Sequence, residues 1–146
     1  MDIPKLDDDT AIPDEEFLYR GVHHTQVKED GTISSGAFVS GTNPHPSIDR
    51  SSLTTPEESL ARKPSSVALA RLTAGAVRER TVGVKGDPKP ENPAHALIIR
   101  DPRCVHSAWK RVAKHLADAC SWAIAPGTRS DFIVYGGRTV KQAGRR

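Results

Sequence analysis

Arginine, histidine, serine and aspartate gather in four short stretches of this chain. They are Tyr19-Arg20-Gly21-Val22-His23-His24, Ser34-Ser35-Gly36-Ala37-Phe38, Ser47-Ile48-Asp49-Arg50 and Asn92-Pro93-Ala94-His95. Each falls at the start or end of an expected strand, where rigid scaffolds present binding groups. A planar guanidinium can grip an anion with a fork of donors, which suits Arg20 and Arg50. A histidine before a strand can move a proton, which makes His95, and after it His23, the catalytic candidates. Ser35 and Asp49 complete the set as hydrogen-bonding groups. Together the six residues read as one polar pocket. Arg20 lies inside an apolar strand and needs a partner, because an unpaired buried charge is costly. That partner is Asp49, a glutamate of the helix that follows Thr55, or an anionic ligand.

Other chemistries lack their signatures. There is no Gly-x-Ser-x-Gly elbow for a nucleophilic serine, and no glycine loop runs into Lys-Ser or Lys-Thr. His23 and His24 are adjacent and point to opposite sides of a strand. His23, His45, His95 and Cys104 show no metal-ligand spacing, so no metal site is expected. The cofactor is not legible in the sequence.

The elements that must position these groups follow from pattern. The 146 residues fit one domain, with a mostly aliphatic core because aromatics are only 5% of the chain. Residues 1–15 read as a disordered acidic segment, 16–140 as one domain and 141–146 as a basic, mobile tail. Phe17 to Val22 reads as a strand, Asp30-Gly31 as a turn, and Thr32 to Ser40 as a second extended segment. Ile48 and Leu53 are expected to pin the next segment to the core. Thr55, Pro56 and Glu58 make a capping box that opens a helix ending near Lys63. Ser66 to Leu72 alternates like a strand, Thr73 caps a short helix, Val82 and Val84 suggest a strand, and Ala96 to Ile99 is an apolar one. Asp101-Pro102 is expected to open the longest helix. Its stripe of Val105, Trp109, Val112, Leu116, Cys120 and Ala123 would run to Pro126. Asp131 to Tyr135 reads as a last strand. The fold class expected is α+β, with five or six strands in a mixed sheet and the long helix across one face.

Charge is uneven. The net charge of +3 divides into −6 over residues 1–16, +2 over 17–99 and +7 over 100–146. A basic face can serve phosphate or nucleic acid, and Lys110, Arg111 and Lys114 on the expected long helix are the nucleic-acid candidates. The acidic head could fold back on this basic region. Cys104 and Cys120, sixteen residues apart in that helix, would lie beyond disulfide reach. They read as reduced thiols of a cytoplasmic protein. No apolar run is long enough to span a membrane and no secretory signal is visible.

The strings Leu18 to His23, Ser34 to Phe38, Ser47 to Glu57 and Pro90 to Ile98 resemble a family of small uncharacterised bacterial proteins. The resemblance covers roughly residues 17–99. It implies that these clusters form one site or one structural knot, and it implies no activity. The chain also resembles, in fewer residues, ADP-ribosyltransferases of the arginine-serine-glutamate class, with Arg20 and Ser35 in the positions that hold NAD. It departs from them in having no Glu-x-Glu, Gln-x-Glu or Ser-Thr-Ser, which leaves Glu57 and Glu58 as the carboxylates.

The function expected is that of a binding or accessory domain. Its partner is a small anionic ligand or the acidic segment of another protein. Two alternatives stand beside it. One is an enzyme using the same pocket for NAD-dependent transfer or phosphodiester cleavage. The other is nucleic-acid binding through residues 100–146. The oligomeric state is not legible.

Overall fold

A computed structural model describes residues 8–39 and 44–127, and the backbone of two further strands, 132–135 and 138–141. Strand β1 (Phe17–Val22) is the hub of the fold. It pairs with β2 (Ser47–Arg50) on one side and β3 (Ala68–Thr73) on the other. β4 (Gly83–Gly86), β5 (His95–Ile99) and β6 (Ser121–Ile124) complete a six-stranded sheet of order β4-β5-β2-β1-β3-β6. With its helices it is an α+β domain. Every pairing in the sheet is antiparallel, where a mixed sheet was expected. β7 (Phe132–Tyr135) and β8 (Arg138–Lys141) pair as a separate hairpin. Beyond Lys141 the expected tail lies outside the described residues, as do residues 1–7.

Side chains alternate across the sheet. Leu18, Val22, Ile48, Ala96, Ile98, Val84, Ala70 and Leu72 form one face. They pack with Phe38, Val77 and Trp109, Ala113 and Leu116 into the main core. Helix α2 (Ala74–Arg78), capped by Thr73, and helix α3 (His106–Asp118) lie on this face. The Trp109 indole N–H donates to the Phe38 carbonyl at 2.9 Å and ties α3 to a tight 3-10 turn, Ser35–Phe38. Helix α1 (Pro56–Ala61) lies on the opposite face, with the expected capping box of Thr55 and Glu58.

Three elements differ from expectation for local reasons. The described part of the segment expected to be extended, 32–39, is not a strand. The Ser34 hydroxyl accepts the Gly36 N–H at 3.1 Å and turns the chain into the 3-10 turn, leaving only an isolated bridge between Ile33 and Val27. The long helix is shorter than its apolar stripe. It begins at His106 after an uncapped Val105, not at Asp101, whose carboxylate instead bonds Arg103. It ends at Asp118, and Trp122 and Ile124 leave helical geometry to pair with β3. Cys104 and Cys120 therefore flank α3, both as free thiols. Leu53 is half exposed and does not pin the core, whereas Ile48 is buried.

From Asp8 onward the acidic head, expected to be loose or folded back on the basic region, lies along the sheet. Ile12 is fully buried. Asp9 donates its N–H to the Val84 carbonyl at 2.7 Å, and the Asp8 carboxylate accepts the Val84 N–H at 3.1 Å. Arg78 donates to Asp8, to Asp14 and to the Asp9 carbonyl at 2.7–2.9 Å. A Cβ on Gly83 would come within 2.5 Å of the Asp8 Cβ, so only glycine lets this strap seat against the edge strand β4.

Candidate functional site

Arg20 sits midway along β1 between Leu18 and Val22, both fully buried on the main-core face. Its Nε donates to the Ala37 carbonyl at 2.9 Å and its Nη1 to the Ser47 carbonyl at 2.8 Å. Both acceptors are neutral. Among the described residues no carboxylate bonds it. Burial alone pushes its pKa below the usual arginine value, with no opposing charge to hold it up. The bond to Ala37 brings Arg20 to the turn that starts with Ser35. The hydroxyl that caps this turn is that of Ser34, the neighbour of the serine expected in the pocket.

His23 ends β1 by capping a second 3-10 turn, His24–Gln26. Its Nδ1 lies 3.1 Å from the Thr25 hydroxyl and also caps the Thr25 N–H. Its ring stands 4.3 Å from that of His24. Burial, then the neighbouring His24 charge, push its pKa down. The Gln26 side chain joins the two turns, accepting from His23 N and donating to the Gly36 carbonyl at 3.2 Å.

Asp49 lies on the other face of the sheet, inside a knot of donors. Ser59 Oγ donates at 2.6 Å, Lys63 Nζ at 2.5 Å, Asn92 Nδ2 at 2.8 Å and Arg62 Nη2 at 3.3 Å. Burial works to raise its pKa. The bonds from Lys63, Ser59 and Asn92 outweigh it and hold the carboxyl at about 2. Lys63 is depressed by its own burial, with Arg62 and Arg20 adding repulsion and Asp49 opposing them. Helix spacing explains the knot. Ser59 and Lys63 are four apart on the inner face of α1 and in its following turn, and Lys63 also donates to Ser59 Oγ at 3.0 Å. Ser59 is fully buried, which closes this serine–lysine pair to any substrate.

Arg50 and His95 are held elsewhere. Arg50 forks onto Glu16 through two bonds of 3.1 Å, and Ser52 adds a third donor at 2.8 Å. Burial disfavours the Glu16 charge, but these bonds prevail and lower its pKa. His95, paired with Asp49 across β2 and β5, turns its Nδ1 to Asp87, 3.0 Å from the carboxylate and 3.1 Å from the carbonyl.

The chain matches no protein-family model, no curated protein and no solved structure.

The six residues expected in one pocket thus divide. Arg20 meets the turn that carries Ser35, with His23 on the adjoining turn. Asp49 and His95 share the opposite face. Arg50 is committed to Glu16. Lys110, Arg111 and Lys114 are exposed on α3, away from both groups. Glu58 serves the α1 cap, and Glu57 is on the same helix, on the face opposite Arg20. Glu16, Ser59, Arg62, Lys63 and Arg78 were not among the expected site residues. The i, i+4 spacing of Ser59 and Lys63 was the one local signal. Among the described residues no three histidine, cysteine, aspartate or glutamate side chains gather as a metal site, and no helix is long and apolar enough to cross a membrane.

Proposed function

We propose that this is a cytoplasmic anion-binding domain, with Arg20 as anchor and the Ser34–Phe38 turn as the wall beside it. One observation carries the reading. A guanidinium has five N–H donors, and Arg20 uses two, both on neutral carbonyls. A charge in this setting is balanced most simply by a carboxylate or phosphate from outside the domain, gripped through the remaining donors. The ligand is a small anion or an acidic side chain of a partner protein. Two free cysteines fit a reducing compartment.

A second reading, an enzyme, has one favourable feature. Asp87 orients the His95 ring through Nδ1, as a general base requires. His95 is on the face of the sheet opposite Arg20, so it does not act on an anion held there. Anion binding is therefore the reading the geometry favours.

Native mass spectrometry of freshly purified protein tests it, followed by binding of phosphate, sulfate and citrate to the wild type and to Arg20→Met. Binding in the wild type and loss in a folded Arg20→Met support the anchor. Equal binding by both removes Arg20 from the site.

A further inference from the structure

The outward face of α3 carries a separate interaction surface. Its exposed positions are His106, Ser107, Lys110, Arg111, Lys114, His115 and Asp118. Asp118, the one acid among them, is tied to Lys114 at 3.0 Å. Lys110 and Arg111 have no carboxylate partner among the described residues. The ion pairs that the described part of the acidic head makes lie elsewhere: Asp8 and Asp14 bind Arg78, and Glu16 binds Arg50. The excess positive charge of this region is thus left facing outward.

We propose that this face binds double-stranded nucleic acid through its phosphates, without reading sequence. Lys110 and Lys114 stand one turn apart, about 6 Å along the axis. That spacing lets neighbouring cations meet neighbouring phosphates of one strand. The helix exposes no tryptophan, tyrosine or phenylalanine for bases to stack on, since Trp109 points into the core and donates to Phe38. Single-strand binding relies on stacking aromatics, so the duplex is the fitting form. Phosphate contacts fix position and carry no base information.

The test is fluorescence anisotropy of the whole chain on a short duplex of arbitrary sequence, from about 50 mM to 200 mM salt. The triple variant K110Q/R111Q/K114Q is compared with the wild type. All three side chains are exposed, and far-ultraviolet circular dichroism confirms the fold. The wild type is expected to lose affinity steeply with salt, and the variant to bind at least about tenfold more weakly. Its log–log slope should be shallower by about 2 to 3, at roughly 0.9 for each phosphate that the variant leaves unneutralised. A gain-of-binding variant guards against misfolding. Asp118→Asn releases Lys114 and should strengthen binding severalfold. Failure of the wild type to bind at low salt overturns the proposal. An unchanged slope in the triple variant also does so, since the cations in use would then lie elsewhere. Preference for polyglutamate over the duplex, or for a single strand, overturns it as well.

Discussion

Arg20 and Asp49 lie on neighbouring strands yet on opposite faces of the sheet, because Asp49 pairs with Tyr19 rather than with Arg20. The two charges that could have neutralised each other are thereby kept apart. Asp49 takes Lys63 and Arg62 as partners, and Arg20 is left with carbonyls.

The isolation of Arg20 predicts ligand-dependent stability. An anion at a hundredfold its Kd adds about 2.7 kcal/mol to the folded state. The wild-type melting temperature should rise by several degrees in phosphate or citrate, and that of Arg20→Met should not move. Arg20→Lys should lose most of the effect, because an ammonium lacks the guanidinium fork. Differential scanning fluorimetry reads all three proteins. An equal rise in Arg20→Met would assign the stabilisation to general salt effects.

The Asp49 knot predicts acid sensitivity. Its pKa falls from 3.8 to about 2 on folding. The depressed value means the folded state binds fewer protons than the unfolded one. The stabilisation, about 2 kcal/mol, is present above pH 4 and drains away as pH falls towards 2. Asp49→Asn should be less stable by about 3 kcal/mol at pH 7, since it removes the carboxylate on which Lys63, Arg62, Ser59 and Asn92 converge. It should also lack this part of the acid transition. Urea unfolding at a series of pH values measures both effects.

Gly21 predicts a steric route to the same knot. A Cβ there would run into Ser66 Oγ first, and would come within 2.7 Å of Lys63 Cδ. Gly21→Ala should displace Ser66 and the Lys63 stem, disturb the Lys63 bond to Asp49 and destabilise the fold by about 1–3 kcal/mol. If urea unfolding of Gly21→Ala matches the wild type, neither Ser66 nor the stem of Lys63 is confined there.

The two cysteines should differ in reactivity. Burial pushes the Cys120 thiol up to about 12, and its Sγ donates to the Leu116 carbonyl at 3.2 Å. Cys104 is partly exposed beside Arg80 and Thr81. Iodoacetamide at about pH 8 should modify Cys104 first and reach Cys120 only on unfolding, since the thiolate is the reacting form. Peptide mass mapping over a time course decides the order.

Much of the architecture is legible in the chain because its signals are local. The alternation at Ser66 to Leu72, the apolar run at Ala96 to Ile99 and the Thr55–Glu58 box each act within one element. The end of α3 is different. Cys120 and Ala123 continue its apolar spacing, and only pairing with Leu69 and Ala70 of β3 draws Trp122 and Ile124 into a strand. The expected pocket divides for a related reason. Which of its residues share a face depends on the register of β1 against β2. A one-residue slip inverts that relation. No tight hairpin joins those strands, so nothing local sets it.

The strap carries a consequence for the order of events in synthesis. Asp8 leaves the ribosome long before Arg78, seventy residues later, and Val84, later still. A segment made early is therefore among the last to find its place. Until it does, the margin of β4 stays open to pairing with another chain. Late closure of this kind leaves the nascent protein vulnerable to aggregation until the strap and its edge strand have met. A bulky fusion ahead of Asp8 would lengthen that interval, whereas a fusion at the other end would leave it unchanged.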